Sequence, residues 1–357
     1  MNNFLNYIPT YIETISAPEF IFVSLYIITL LFHIIFVNLT IGCTASILVS
    51  KYIYKVYNDN DYNIISNKLA NLNTINISLT ITTGVAPLLF IQVLYDKLFY
   101  TSSILIAYYW LFILIAIIIA YYLFYIYKYK PFYLKYKPFG GTIYIFIAFI
   151  LFMYVAFILV SNTLISLNPH IWPNLQNSIN FNIIPTLLPR YLHFILAALA
   201  FNGIFICIYA NYNKTIDNNI REKLYNLGKN MFIYTTITQF IIGPWFLLSH
   251  KKEILYNVLT GTGTIYIAIA ILLSIVLIYL LIKKKSIILI SIISFIVLTL
   301  MILLRRLIEV EYLKPLLESI IYKTDFQLTA FIMFLVLFLG ALIFLIFLLR
   351  TINKKTM

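Results

Sequence analysis

The sequence predicts an all-α protein: a polytopic transmembrane helical bundle of about nine spans, with its N-terminus outside. Three observations carry this. Of 357 residues, 62% are hydrophobic and 10% charged, with a mean hydropathy of +0.96, whereas soluble domains carry roughly 25% charged residues. Apolar runs of ~20 residues, the length that a ~30 Å hydrocarbon core requires, follow one another along the chain. The basic residues, finally, collect in alternate connections between those runs.

Lipid offers the backbone no partner, so each run is read as a helix. The spans fall near 19–49, 74–95, 101–127, 140–166, 186–210, 230–250, 262–282, 286–304 and 326–349. Little chain remains for a soluble domain, and residues 1–357 are read as one membrane domain. With the N-terminus outside, the inner connections hold Lys51, Lys55, Lys68, Lys128, Lys130, Lys135, Lys137, Lys214, Arg221, Lys223, Lys229, Lys283, Lys284, Lys285, Arg350, Lys354 and Lys355. These are 17 of the 25 basic residues, against eight outside, which fixes the orientation. The net charge of +13 is thereby explained by topology, and no nucleic-acid partner is expected.

Residues 1–17 read as a short interfacial helix leading to Pro18, and Glu13 without a basic flank does not fit a cleaved signal peptide. The first span carries His33, ~21 Å from its outer end, on a face continued by Thr29, Thr40 and Thr44. The second is polar for lipid, with Thr74, Asn76, Ser78, Thr80, Thr82, Thr83, Gly84, Pro87 and Gln92. The third, by contrast, is apolar. The fourth leads to a long outer connection that contains Pro169, His170, Trp172, Pro173 and Pro185.

The fifth span carries His193, ~10 Å below the outer surface, with Ala197, Ala200 and Gly203 on or beside its face and Arg190 one turn before it. The sixth is polar through Thr235, Thr236, Thr238, Gln239, Gly243 and Pro244, and ends at His250, read as interfacial like His170. The eighth closes on Arg305 and Arg306, with Met301 one turn inside, and the connection beyond could form an amphipathic interfacial helix. Cys43 and Cys207 both lie within apolar runs, so no disulfide framework and no covalent-haem motif is available.

A titratable residue inside a span is costly and marks a functional hypothesis. His33 and His193 therefore have two readings: axial ligation of haem iron, with small residues leaving room for the macrocycle, or hydrogen bonds to neighbouring helices that the small residues let pack closely. Arg190, Arg305 and Arg306 stand at the outer level, where guanidinium suits haem propionates or lipid head groups. Met301 is a candidate second axial ligand. No span holds a central Asp or Glu, which argues against a carboxylate proton relay.

The order of these features resembles subunit I of the cytochrome bd quinol oxidases. The first span of that family reads Tyr-His-Phe-Leu-Phe-Val-Pro-Leu-Thr-Leu-Gly; here His33 opens His-Ile-Ile-Phe-Val-Asn-Leu-Thr-Ile-Gly, ending at Gly42. Thr83-Gly84-Val85-Ala86-Pro87 and Phe90-Ile91-Gln92 are similar to its second span. Ser161-Asn162 with Asn168-Pro169 resembles the end of its fourth, and Leu192-His193-Phe194 the surroundings of its electron-entry b haem. The resemblance covers residues 1–250, leaving 251–357 as divergent C-terminal spans.

The resemblance implies a haem-b-containing subunit that transfers electrons in a respiratory chain of the bacterial inner (cytoplasmic) membrane. His33 would be the iron ligand of a deeper haem, of b or d type, and His193 of a b haem near the outer face, giving one or two haems. Partner membrane subunits, and a quinol or a cytochrome c as donor, are implied with it. The sequence departs from the family in lacking two glutamates of the third span and the large quinol-binding loop with its Gly-Arg-Gln-Pro-Trp motif. The usual Arg-x-Met is matched at best by Met301 and Arg305. Two other readings stay open: an active terminal oxidase that reduces oxygen at the His33 haem, and a haem-free transporter or scaffold.

Overall fold

The computed structural model describes residues 11–15, 17–129, 141–177, 180–213, 215–317, 320–324, 327–329, 331–340 and 343. The helices are α1 (Glu19–Tyr57), α2 (Asn60–Leu94), α3 (Asp96–Leu105), α4 (Ala107–Tyr129), α5 (Thr142–Ser166), α6 (Trp172–Asn177), α7 (Leu187–Tyr212), α8 (Asn218–Leu248), α9 (Lys252–Thr260), α10 (Thr262–Ile282) and α11 (Ile287–Leu317), with a shorter apolar helix α12 (Phe331–Gly340). Among the described residues eight are long and apolar enough to cross a bilayer: α1, α2, α4, α5, α7, α8, α10 and α11. They correspond to the first eight expected spans, and the chain is a multi-pass membrane protein. Of the ninth, expected at 326–349, α12 is the main described part and much of the rest lies outside the described residues. So do Lys130, Lys135, Lys137, Lys214, Arg350, Lys354 and Lys355.

The chain divides into two compact units, one of Met1–Leu25 with Pro315–Met357 and one of Tyr26–Lys314. In the first, β1 (Tyr11–Ile15) pairs in parallel with β2 (Ile320–Thr324), Tyr11 opposite Ile320 and Ile15 opposite Thr324. The interfacial helix expected over 1–17 is thus a strand where the chain is described. Tyr-Ile-Glu-Thr-Ile is rich in aromatic and β-branched residues that suit a pleated ribbon.

The larger unit is built as lipid demands, with many large apolar side chains turned outward. On α4 Leu111, Leu114, Ile115, Ile118 and Tyr122 are exposed, while Ala116, Ala120 and Phe124 are buried against α5. On α10 Ile265, Ile269, Leu272 and Ile275 form the corresponding outward stripe. Small and polar residues join Ile, Leu and Phe in the interior, where helix pairing in membranes relies on close approach and hydrogen bonds. Gly203 of α7 faces Gly228 of α8 so closely that an added Cβ at either would meet the other's carbonyl oxygen at 2.6 or 2.5 Å.

Asn73 of α2, fully buried, donates to Thr44 Oγ1 (2.9 Å) and to the Thr40 carbonyl (3.2 Å) of α1. Asn202 of α7 donates to Ser46 Oγ of α1 at 2.9 Å. The polar face of the second span is therefore divided. Asn73, Thr74 and Asn76 are buried, whereas Thr82 is exposed and satisfies its hydroxyl on the Ser78 carbonyl of its own helix.

Three boundaries differ from the hydropathy reading. The third expected span begins later, because Ile106 leaves helical geometry (φ −116°) and separates α3 from α4. The sixth begins earlier: Asp217 caps α8 by accepting from the Asn219 amide at 2.9 Å, and its first turns are too polar for hydropathy to register. The connection after the eighth span continues α11 as far as Leu317, so Arg305 and Arg306 lie within a long helix rather than opening an interfacial one.

Candidate functional site

His33 sits on α1 against α2. Its Nδ1 lies 3.1 Å from the Thr80 carbonyl oxygen. A carbonyl only accepts, so Nδ1 carries the proton and Nε2 keeps its lone pair, the arrangement in which a histidine ligates metal. Thr80 is itself held, its Oγ1 donating to the Asn76 carbonyl (2.8 Å) and lying 2.8 Å from Thr40 Oγ1. One turn beyond Thr80 stands Gly84, where an added Cβ would meet His33 Cε1 at 2.7 Å and Nδ1 at 3.0 Å. The imidazole occupies the space a side chain would fill. The expected stripe holds for Thr40 and Thr44, both buried on the α2 side of α1, the side on which the partly buried His33 also lies.

His193 sits on α7 against α8, again beside a glycine: a Cβ on Gly243 would lie 3.6 Å from its Cε1 and 3.8 Å from its Nδ1. Gln239 Nε2 donates to the His193 carbonyl at 3.3 Å, and the Phe246 ring lies 5.6 Å from the imidazole, tilted by 31°. His193 Nδ1 is buried and has no hydrogen-bond partner among the described residues. Leaving such a nitrogen unpaired costs about 1–3 kcal/mol, a cost that a ligand on the imidazole would offset. Gly203, read with Ala197 and Ala200 as making room beside this histidine, instead forms the α7–α8 crossing with Gly228.

Around the outer end of α7 the structure gathers charge. Arg190 is within electrostatic reach of Arg305, Glu309, Tyr26 and Tyr312. Arg306 lies 3.5 Å from Glu309 and 5.6 Å over the Tyr95 ring. Three arginines thus face one carboxylate, which leaves positive charge for an anionic group. Met301 is partly buried on α11, one turn inside Arg305.

His250 is not solvated, as its place at the end of the span suggested. It is 6% exposed, its Nδ1 lies 3.0 Å from Tyr312 Oη, and its Nε2 is buried without a hydrogen-bond partner among the described residues. Burial first, then the nearby Arg190 charge, push its pKa down to about 4. Tyr312 stands 62 residues later, and no local signal reveals this pairing. His170 is exposed in the outer connection, and partial burial, then the Lys251 charge, lowers its pKa. Among the described residues no group of three or more His, Cys, Asp or Glu side chains is placed to hold a metal ion. The donor set is that of single imidazoles.

The eight bilayer-length helices among the described residues define the class, a multi-pass membrane protein. The structure is similar to that of the bd oxidase from Geobacillus thermodenitrificans, with a TM-score of 0.62 and 12% identity over 83% of this chain and 85% of that one. At that identity the likeness shows the fold. No family model matches the sequence and no curated relative matches it.

Proposed function

We propose that this chain is a haem-b-bearing subunit of a respiratory complex in the bacterial inner membrane, passing electrons between partners. His33 and His193 would be the axial iron ligands, and Met301 a second ligand near His193. Arg190, Arg305 and Arg306 would pair with the haem propionates. The observation that carries the reading is the pair of imidazoles, each seated against a glycine of the next helix, with His33 Nδ1 held by the Thr80 carbonyl and His193 Nδ1 buried without a hydrogen-bond partner among the described residues.

Haem supplies the one-electron couple in this reading, tuned by axial ligand, burial and hydrogen bonding. The chain's own residues supply the rest. The Thr80 carbonyl orients His33 through Nδ1, Gln239 ties the His193 turn to α8, and the apolar interior lowers the local dielectric. Helix α4 contains no Asp or Glu along Ala107–Tyr129, so the proton-delivering carboxylates of an oxidase are missing there. That favours electron transfer over oxygen reduction, whether the His33 site takes a b or a d haem. Partner membrane subunits, with a quinol or a cytochrome c as donor, complete the proposal.

Dithionite-reduced minus oxidised spectra of the purified protein test it. Wild type is expected to show b-type bands, diminished in His193→Ala and in His33→Ala. A colourless protein from haem-replete cells overturns the reading in favour of a haem-free transporter or scaffold. Rapid oxygen consumption with quinol or reduced cytochrome c would instead assign an oxidase.

A further inference from the structure

At the lysine-rich end of the larger unit, the end of α7, the start of α8 and the α10–α11 connection line an open recess of about 280 Å³. Arg221, Lys284 and Lys285 line it together with a single acid, Glu222. Three cations against one carboxylate leave a net charge of about two. The guanidinium of Arg221 is held by Asn218 Oδ1 at 3.1 Å and the Ile216 carbonyl at 3.0 Å, so its orientation is set before any ligand arrives. Lys284 lies 3.2 Å from Glu222 and 5.6 Å from the Tyr225 ring centroid.

The backbone at Lys284 is also informative. α10 ends with Lys285 N donating to the Leu280 carbonyl (2.9 Å) and Lys284 N to the Leu281 carbonyl (3.3 Å). This is a Schellman end, whose left-handed residue is usually glycine. Here that residue is Lys284, with φ at +47°. A lysine in this conformation sets a cation at the lip of the recess where glycine would be the relaxed choice.

Apolar surface adjoins the charge. Ala210 and Ile287 form part of the wall, and Ile282 and Ile288, at the ends of α10 and α11, are 54% and 60% exposed. The recess therefore sits where apolar helix surface gives way to basic connection. A free phosphate would use only the cations, whereas a phospholipid would use the cations and the apolar flank together. We propose that this recess binds the phosphate of an anionic phospholipid of the lysine-rich leaflet. The proposal is independent of haem binding.

Native mass spectrometry of the full chain in mild detergent, titrated with phosphatidylglycerol or with phosphatidylcholine, tests it. Wild type is expected to retain one phosphatidylglycerol in preference to phosphatidylcholine. Lys284→Gln/Lys285→Gln removes two charges and is expected to weaken retention about 30-fold. Lys283→Gln removes one charge from the same connection without touching the recess and is expected to weaken retention by no more than about fivefold. Glu222→Gln, which removes the sole acid and keeps both lysines, is expected to tighten binding and so tests the site with a variant that deletes no cation. Equal retention of the two lipids, an equal loss in Lys283→Gln, or unchanged retention in the double variant overturns the proposal. Displacement of the lipid by millimolar inorganic phosphate overturns the lipid source and assigns the recess to free phosphate.

Discussion

Replacing Gly84 by alanine puts the His33 environment to its sharpest test. The new Cβ would stand 2.7 Å from Cε1, 3.0 Å from Nδ1 and 3.4 Å from Nε2 of the imidazole, where unstrained contacts lie at ~3.5–4.0 Å. The ring must retreat by about 1 Å. Thr80 lies one turn away on the same helix, so the retreat also stretches the 3.1 Å Nδ1 contact with the Thr80 carbonyl beyond hydrogen-bonding range. Overpacking costs about 1–3 kcal/mol and the lost bond about 1 kcal/mol more. Loss of a partner that orients a metal-binding histidine lowers affinity about 10- to 100-fold. The assay is haem content and the reduced-minus-oxidised spectrum of Gly84→Ala, with thermal unfolding of the haem-free protein alongside. Gly243→Ala is the internal contrast: its Cβ would lie 3.6 Å from His193, an ordinary contact, and alanine favours the helix by about 1 kcal/mol. Wild-type haem content and unfolding midpoint in Gly84→Ala, or equal damage in both variants, would refute the reasoning.

Gly203→Ala and Gly228→Ala place a Cβ against backbone oxygen at 2.6 and 2.5 Å. Since backbone cannot swing aside, each should lower stability by about 1–3 kcal/mol, read as an earlier loss of the monodisperse peak on heating. Asn73→Ala removes two inter-helix hydrogen bonds and should cost about 1 kcal/mol, measured by unfolding in mixed micelles. The buried His250 gives an acid limb: its pKa is about 4 folded against 6.5 ordinarily. The unfolded chain therefore binds the proton first, and stability should fall as pH drops from about 6.5 towards 4; His250→Gln should flatten that limb. Lys223, 2.5 Å from Asp59, holds that carboxyl below its ordinary value. Its contribution is present above the ordinary carboxylate pKa and lost as pH falls through the lowered one, and Lys223→Gln should abolish this component of the unfolding–pH profile.

How far the site was legible follows from the range of the forces involved. His33 and His193 stand out in the sequence because an imidazole amid Ile and Leu is costly in lipid wherever the chain goes. Their partners do not stand out. Thr80 lies 47 residues from His33 and Gln239 46 residues from His193, and nothing in local periodicity selects Thr80 from the other threonines of α2. Gly203 stayed open between two readings for the same reason, since a small residue beside a histidine reads alike whether it accommodates a ligand or a helix. The extended helix starts and ends, such as Asn218–Lys229 of α8 and Arg305–Leu317 of α11, are polar enough to escape a hydropathy window and are settled by caps and ion pairs.

The sequence by itself determined that this protein lies in a membrane, how many times the described chain can cross it, and which connections carry the positive charge. Those properties follow from transfer free energy, which sums over residues one at a time and needs no partner. The tertiary structure decided which glycine each histidine rests on, that His250 is buried under Tyr312, and that Arg221, Lys284 and Lys285 converge on one recess. Such relations depend on distances between helices far apart in the chain, and side-chain packing within a few ångströms sets them.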